Sequence, residues 1–232
     1  MGISVVLLAE KEEKNLMILL PLLKKILKDT KEKYEILVID TMEPLDNTKR
    51  VCEKYDVIYL NQEEPKYAGA FKTGIKHAKY DKIQVLDCDF SHDPNVVTKI
   101  NEKFNEGYDL VIGSRYIKGG KTLDSKTSQI MSKILNFVYR KFLGIKAKDI
   151  STSFRMYDAK QLKSVKLDSK NFDVVEEVVF KMIRQNPKLK ISEVPITFNK
   201  RLFCESKRSF TQFIGSYIKT LFCLLCIKFG SK

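Results

Sequence analysis

Histidine is nearly missing from this sequence. His77 and His92 are the only two among 232 residues, and no histidine-based zinc site or Ser-His triad within sequence reach of them has support. Cysteine is sparse and odd in number. Cys52, Cys88, Cys204, Cys223 and Cys226 are scattered along the chain, which argues against a disulfide framework and for a reducing compartment. The one close pair, Cys223-Leu224-Leu225-Cys226, has no second pair and lies in an apolar helical run, so packing or lipid contact is expected of it. Gly69-x₄-Gly74 lacks the third glycine of a dinucleotide loop, and no Gly-Lys-Ser/Thr follows it; ATP and NAD binding have little support. No apolar run approaches the roughly 20 residues needed to span a bilayer. Met1–Val6 carries neither the cationic start nor the cleavage site of a signal peptide. A cytoplasmic protein is expected.

Acidic residues are scarce in one half only. Residues 1–116 hold 18 Lys and Arg against 20 Asp and Glu, while residues 117–232 hold 24 against 9. The whole formal charge of +13 therefore comes from the second half, which favours an anionic partner. An apolar content of 44%, with 14 Phe and 10 Tyr, is enough for a sizeable core in a chain of this length.

The apolar pattern gives the fold class. Ile3–Leu8 and Tyr34–Ile39 are short β-branched runs, and Asn15–Leu27 between them repeats apolar residues at helical spacing. The rhythm recurs with strands at Asp56–Leu60, Lys82–Leu86 and Asp109–Ile112 and helices at Ala70–Lys79 and Val96–Phe104. Strands alternating with amphipathic helices predict an α/β domain whose mostly parallel sheet has helices on both faces. Beyond residue 113 the reading is a long helix over Ser128–Phe142, a helix over Glu176–Ile183 and an edge strand at Ile191–Phe198 containing Pro195.

The strongest chemical signal is Val85–Pro94, VLDCDFSHDP. A buried strand runs directly into Asp87 and Asp89, and open α/β sheets present ligands at the carboxyl ends of their strands. Two carboxylates two positions apart can turn toward one hard cation, Mg²⁺ or Mn²⁺, whose remaining positions go to a diphosphate. The competing reading is a solvated acidic turn before a helix that starts at Pro94 and is capped by Asp93.

VLDCDFSHDP, DLVIGSRYIKGG (109–120), DISTSFRMY (149–157) and VPITFNKRLFCESK (194–207) occur in that order. Together they resemble the dolichyl-phosphate mannose synthase branch of the family-two glycosyltransferases, over nearly the whole chain. The resemblance implies a GT-A fold of the nucleotide-diphospho-sugar transferase type, with residues 1–208 as the transferase domain and 209–232 as a C-terminal amphipathic helix. It implies that Asp87 and Asp89 hold the metal and the donor diphosphate, with Ser91 at a position that ligates metal in some relatives. By the same resemblance Glu12 and Asp40 contact the nucleotide, while Arg115, Arg155, Arg201, Ser206 and Lys207 serve the donor and acceptor phosphates; Asp89, Arg115 and Arg201 are the implied catalytic groups. Joining a sugar diphosphate to a lipid phosphate gathers three phosphates in one cleft, more negative charge than one divalent cation neutralises, and arginine forks supply the remainder.

The chain departs from the family pattern in four places. Leu8-Ala9-Glu10-Lys11-Glu12 lacks the Pro, Tyr and Asn that precede the family's Glu, and Thr41-Met42-Glu43 follows Asp40 where a second Asp and a Gly are usual. Ser128 stands at a phosphate-binding Arg, with Lys126 and Lys133 nearby, and Cys204 replaces a Gly.

The tail places Phe210, Phe213, Ile214, Tyr217, Ile218, Leu221, Phe222 and Leu225 at helical spacing, with eight uncharged residues between Lys219 and Lys228. It reads as a helix at a membrane surface or against a small membrane-protein partner, or else as an ordinary core helix. The expected activity is metal-dependent, inverting transfer of mannose from GDP-mannose to a polyprenyl phosphate at the cytosolic face of a membrane. A phosphate monoester is mostly dianionic at neutral pH, so it attacks without a strong base. The alternatives are a UDP-sugar donor or another acceptor, or an impaired sugar-nucleotide-binding homologue. Nucleic acid is not an expected partner, since the basic half lacks interleaved aromatics and any RNA motif.

Overall fold

The computed structural model describes residues 1–203 and 210–230, and for 210–214 the backbone only. Five strands, β1 (Gly2–Leu8), β2 (Lys33–Asp40), β3 (Ile58–Asn61), β4 (Lys82–Asp87) and β5 (Leu110–Ser114), alternate with helices α1 (Glu13–Asp29), α2 (Thr48–Lys54), α3 (Lys66–His77) and α4 (Val96–Asn105). After them come β6 (Lys121–Thr122), α5 (Lys126–Leu143), β7 (Arg155–Asp158), α6 (Ala159–Ser164), α7 (Val174–Gln185), β8 (Ile191–Pro195), β9 (Thr197–Phe198) and α8 (Phe210–Phe229). The main sheet runs β3-β2-β1-β4-β7-β5-β8, and β6 pairs with β9 apart from it. The expected α/β class with a mostly parallel sheet is observed.

Strand alternation explains the two cores. Ile3, Val5 and Leu7 of β1 enter one apolar cluster with α1 and α4, while Val6 enters the other with α3 and α7. Both faces are covered, so these strands are apolar almost throughout. Gly74 of α3 lies against Val6; a Cβ there would fall 2.3 Å from the Val6 Cγ1. Gly69 is equally tight against the Glu64 backbone. These glycines let α3 pack closely and form no phosphate loop.

The sequence reading has no counterpart of β7. This strand is antiparallel to both neighbours, with Val85 opposite Arg155 and Ile112 opposite Arg155 on the other side. Its direction places the loop that precedes it, Asp149–Phe154, beside the carboxyl ends of β4 and β5. The tail is also resolved by the structure. Tyr217, Thr220 and Leu224 of α8 are buried, and Tyr217 and Leu224 join the main core. Tyr139 of α5 donates its hydroxyl to the Tyr217 carbonyl at 2.6 Å, and Ser216 and Thr220 both donate to Asp173. One face of α8 is therefore core, and Ile218, Phe222 and Phe229 remain exposed.

Candidate functional site

The site gathers at the strand ends. Asp87 is the last residue of β4, and Asp89 follows in a turn that Phe90 makes with a left-handed φ of 61°. A bulky aromatic in that region is strained, and such strain concentrates at functional turns. The Ser91 amide donates to Asp89 Oδ1 at 3.0 Å, which fixes that carboxylate. Asp87 Oδ1 accepts from Ser153 Oγ at 3.1 Å, a bond that exists because β7 runs antiparallel.

His92 lies behind the pair. Its Nδ1 accepts from the Asp87 amide at 3.4 Å and stands 3.7 Å from Asp87 Oδ2, while Nε2 faces Thr152 Oγ1 at 3.5 Å. The ring stacks on Phe154 and meets Phe198 edge to face. Burial lowers its pKa, although the charges of Asp87 and Asp89 pull the other way. With Nδ1 accepting, the proton of the neutral ring sits on Nε2.

Asp87, Asp89 and Ser91 make a fitting set of hard oxygen donors for Mg²⁺ or Mn²⁺. Ser91 is buried, and its Oγ has no hydrogen-bond partner among the described residues. An orphaned buried hydroxyl beside two carboxylates is what a cation would satisfy. Among the described residues no cluster of three or more His, Cys, Asp or Glu side chains forms. A cation here would depend on ligand oxygens for the rest of its coordination.

Arg115 extends from the end of β5 into the same cavity, whose walls include Asp87, His92, Ser151, Phe172 and Tyr217. Its Nε donates to Asp149 Oδ2 at 2.7 Å and its Nη2 to Oδ1 at 2.8 Å, with Ser132 and Ser151 hydroxyls at 3.2 and 2.8 Å from Nη2. Burial opposes the Arg115 charge, but Asp149 outweighs it and raises the pKa. Burial likewise works against the Asp149 carboxylate, and Arg115 nevertheless holds it below its ordinary range. Glu193 steadies the loop by accepting from the Lys148 and Asp149 amides at 2.9 and 3.0 Å. The structure thus adds Asp149, Ser151, Ser153 and Glu193 to the sequence-based set. Asp149, Ser151 and Ser153 lay within the motif DISTSFRMY, but nothing in the pattern said which of them would face the cleft.

Two expectations need correction. Arg155 does not reach the cleft. It is fully buried and donates from Nη1 to the Val175 carbonyl and from Nη2 to the Ile150 carbonyl, both at 2.6 Å; it ties β7 to α7 and the preceding loop. Asp40 is also fully buried, its carboxylate accepting from the Thr41 amide at 2.8 Å and the Tyr59 hydroxyl at 3.0 Å. Burial raises its pKa despite those bonds. It braces the loop after β2 and presents no free carboxylate to a nucleotide.

Glu12 lies just ahead of α1 and accepts from Asn15 Nδ2 at 2.6 Å. Arg201 stands at the opposite side of the acidic turn, its Nε 3.0 Å from Asp89 Oδ2. Ser128 is exposed at the start of α5, where its amide donates to Ser125 Oγ. Ser206, Lys207 and Cys204 lie outside the described residues.

A family model described as Glycosyl transferase family 2 matches residues 4–165. The undecaprenyl-phosphate mannosyltransferase of Micrococcus luteus is 33% identical over 204 residues, covering 82% of each chain. The dolichol-phosphate mannosyltransferase of Pyrococcus furiosus is 31% identical over 186 residues, 75% of this chain and 50% of the relative, so the chain spans about half that protein's length. Among solved structures, the glucosyl-3-phosphoglycerate synthase of Mycobacterium tuberculosis with Mn²⁺ and uridine diphosphate superposes with a TM-score of 0.75 at 16% identity, covering 100% of this chain and 81% of that one.

Proposed function

The chain belongs to glycosyl transferase family 2, and from that footing we propose that it transfers mannose from GDP-mannose to a polyprenyl phosphate. The observation that carries this reading is Asp87, lining one cavity with Arg115, next to the turn that holds the buried Asp89 and the orphaned Ser91 hydroxyl. Asp87, Asp89 and Ser91 would hold the divalent cation, which supplies charge neutralisation to the departing diphosphate.

The chain's own residues do the rest. Ser153 holds the Asp87 carboxylate and His92 Nδ1 holds the Asp87 amide, and the neutral His92 ring adds no charge against a cation. Arg115, pinned by Asp149 through two nitrogens, cannot swing away from the cavity it lines. A guanidinium already held in place costs little entropy when its charge is used on a phosphate. The acceptor phosphate attacks the sugar carbon as a dianion and needs no protein base.

Membrane-face association is part of the same proposal. α5 presents Ile130, Ile134, Phe137 and Phe142 to solvent, and α8, packed beside it, presents Ile218, Phe222 and Phe229. Phe137 is 61% and Phe222 65% exposed. Lys126, Lys133, Lys141 and Lys219 are exposed on the same two helices. Apolar side chains among lysines suit the interface of an anionic bilayer. No helix among the described residues is long and apolar enough to cross a membrane.

The test is incubation with Mn²⁺, vesicles carrying polyprenyl phosphate and either GDP-mannose or UDP-glucose, with mass detection of the lipid product. Mannosyl lipid formed from GDP-mannose alone is the expected result. Product from UDP-glucose alone would reassign the donor, and no lipid product from either would remove the proposal.

A further inference from the structure

Both oxygens of Asp89 are already engaged. Oδ1 accepts from the Ser91 amide and Oδ2 from Arg201 Nε, each at 3.0 Å. Asp89 is almost wholly buried, whereas the Arg201 side chain is 30% exposed. The arginine is the partner with room to move. Its backbone is held: the Leu202 amide donates to the Asp89 carbonyl at 3.0 Å and the Asn199 amide to the Ser91 carbonyl at 2.9 Å. Wherever its guanidinium points, Arg201 therefore stays within side-chain reach of the acidic turn. Ser91, whose amide holds Asp89, has a hydroxyl without a partner among the described residues.

We propose that Arg201 is the resident counter-cation of the Asp87/Asp89 site, and that a divalent cation enters by exchange as Arg201 passes from Asp89 to the arriving diphosphate. Oδ2 can serve a guanidinium and a metal ion together only against the repulsion of two cations around 4 Å apart in a partly buried turn, which weakens metal binding while Arg201 stays. A carboxylate held by an arginine is also not an open metal site. The exchange becomes favourable when a second anion arrives to receive the fork, since Arg binds a diphosphate at least as well as a carboxylate. Metal and nucleotide are then coupled: the metal alone binds weakly, each strengthens the other by the same factor, and Arg201 carries the coupling. This assignment rests on the transferase reading for the identity of the second anion.

The sign of the effect makes the proposal testable. Mn²⁺ alone is titrated calorimetrically into the full-length wild type, R201Q and R201K, with K25Q as a control for the loss of one exposed surface charge, and each titration is repeated with saturating GDP or UDP. R201Q should bind Mn²⁺ alone at least about fivefold more tightly than wild type, while the gain that nucleotide adds shrinks by a similar factor. R201K, which keeps a charge but not the fork, should fall between them, and K25Q should match wild type. Thermal melts confirm that each variant is folded. Mn²⁺ affinity unchanged or weaker in folded R201Q overturns the exchange, as does an equal rise in K25Q. A wild type that binds Mn²⁺ but neither nucleoside diphosphate overturns the transferase reading instead, whatever Arg201 does to the metal.

Discussion

The two halves of the molecule are built differently and contribute different things. Residues 1–116 form a regular succession of strands and helices around β1, β2 and β4, near neutrality in charge, and supply both acidic residues of the candidate metal site. Residues 117–232 carry the excess of positive charge, break the parallel order with β7, and leave two helices with apolar faces in solvent. Beyond the strand pairing that joins them, they meet at the site through Asp87 with Ser153, Asp89 with Arg201, and Arg115 with Asp149 among other contacts. The first half offers a ligand position that the α/β topology makes for free, at the ends of its strands. The second half tunes it, by fixing one carboxylate, occupying the other and immobilising an arginine.

That contrast can be broken by exchanging chemistry for stability. The largest expected effect is Asp89→Asn in the first half. Metal-dependent nucleotide binding, measured by calorimetry with Mn²⁺ and GDP, should fall at least about a hundredfold. The melting transition should cost only about 1 kcal/mol, because the lost ion pair with Arg201 is partly exposed. A variant that unfolds, or that keeps metal-stimulated binding, would show that the pair is framework and not site.

Arg155→Met in the second half should do the reverse. It removes the donors that Arg155 gives to the Ile150 and Val175 carbonyls, for a loss of about 2–4 kcal/mol in urea unfolding. Nucleotide affinity per folded molecule should stay near wild type. A stable Arg155→Met protein that has lost nucleotide binding would return this arginine to the cleft and undo the correction made above.

The smallest effect sharpens the comparison within α8 itself. Replacing Ile218 and Phe222 by Ser should change stability by about 0.5 kcal/mol or less per site, as expected of exposed positions, and should weaken binding to anionic vesicles several-fold. Leu224→Ala on the opposite, buried face should instead cost about 2–4 kcal/mol. Equal stability losses on both faces would mean that the exposed residues are packed in solution, for example against a second protein.

The extent to which the site was legible follows the same division. Asp87 and Asp89 stood out in the sequence because two carboxylates two positions apart follow a buried apolar strand, at the end where open α/β sheets present ligands. Arg115 and Arg201 were readable as positions but not as partners, since nothing in the order of residues says that one is bound to Asp149 and the other to Asp89. Arg155 and Asp40 were misplaced for a common reason. A charged residue at a strand end looks the same in sequence whether its side chain turns to the cleft or into the core, and only the neighbours that satisfy it, two carbonyls for Arg155 and Tyr59 for Asp40, decide the matter.

What the sequence determined by itself is whatever local periodicity can encode: alternating strands and helices, a parallel sheet and hence an acidic pair at a strand end, and a basic second half suited to phosphates. What tertiary structure decided is whatever depends on direction and distance between remote segments. The four residues of β7 are too short to announce an antiparallel strand, yet their insertion between β4 and β5 carries Ser153 to Asp87 and Asp149 to Arg115. The 20 residues of α8 have apolar groups on more than one side, so their pattern alone could not separate core from surface. Burial of Tyr217 and Leu224 against α5 and α7 made that separation, because only a packed neighbour removes one face of a helix from water.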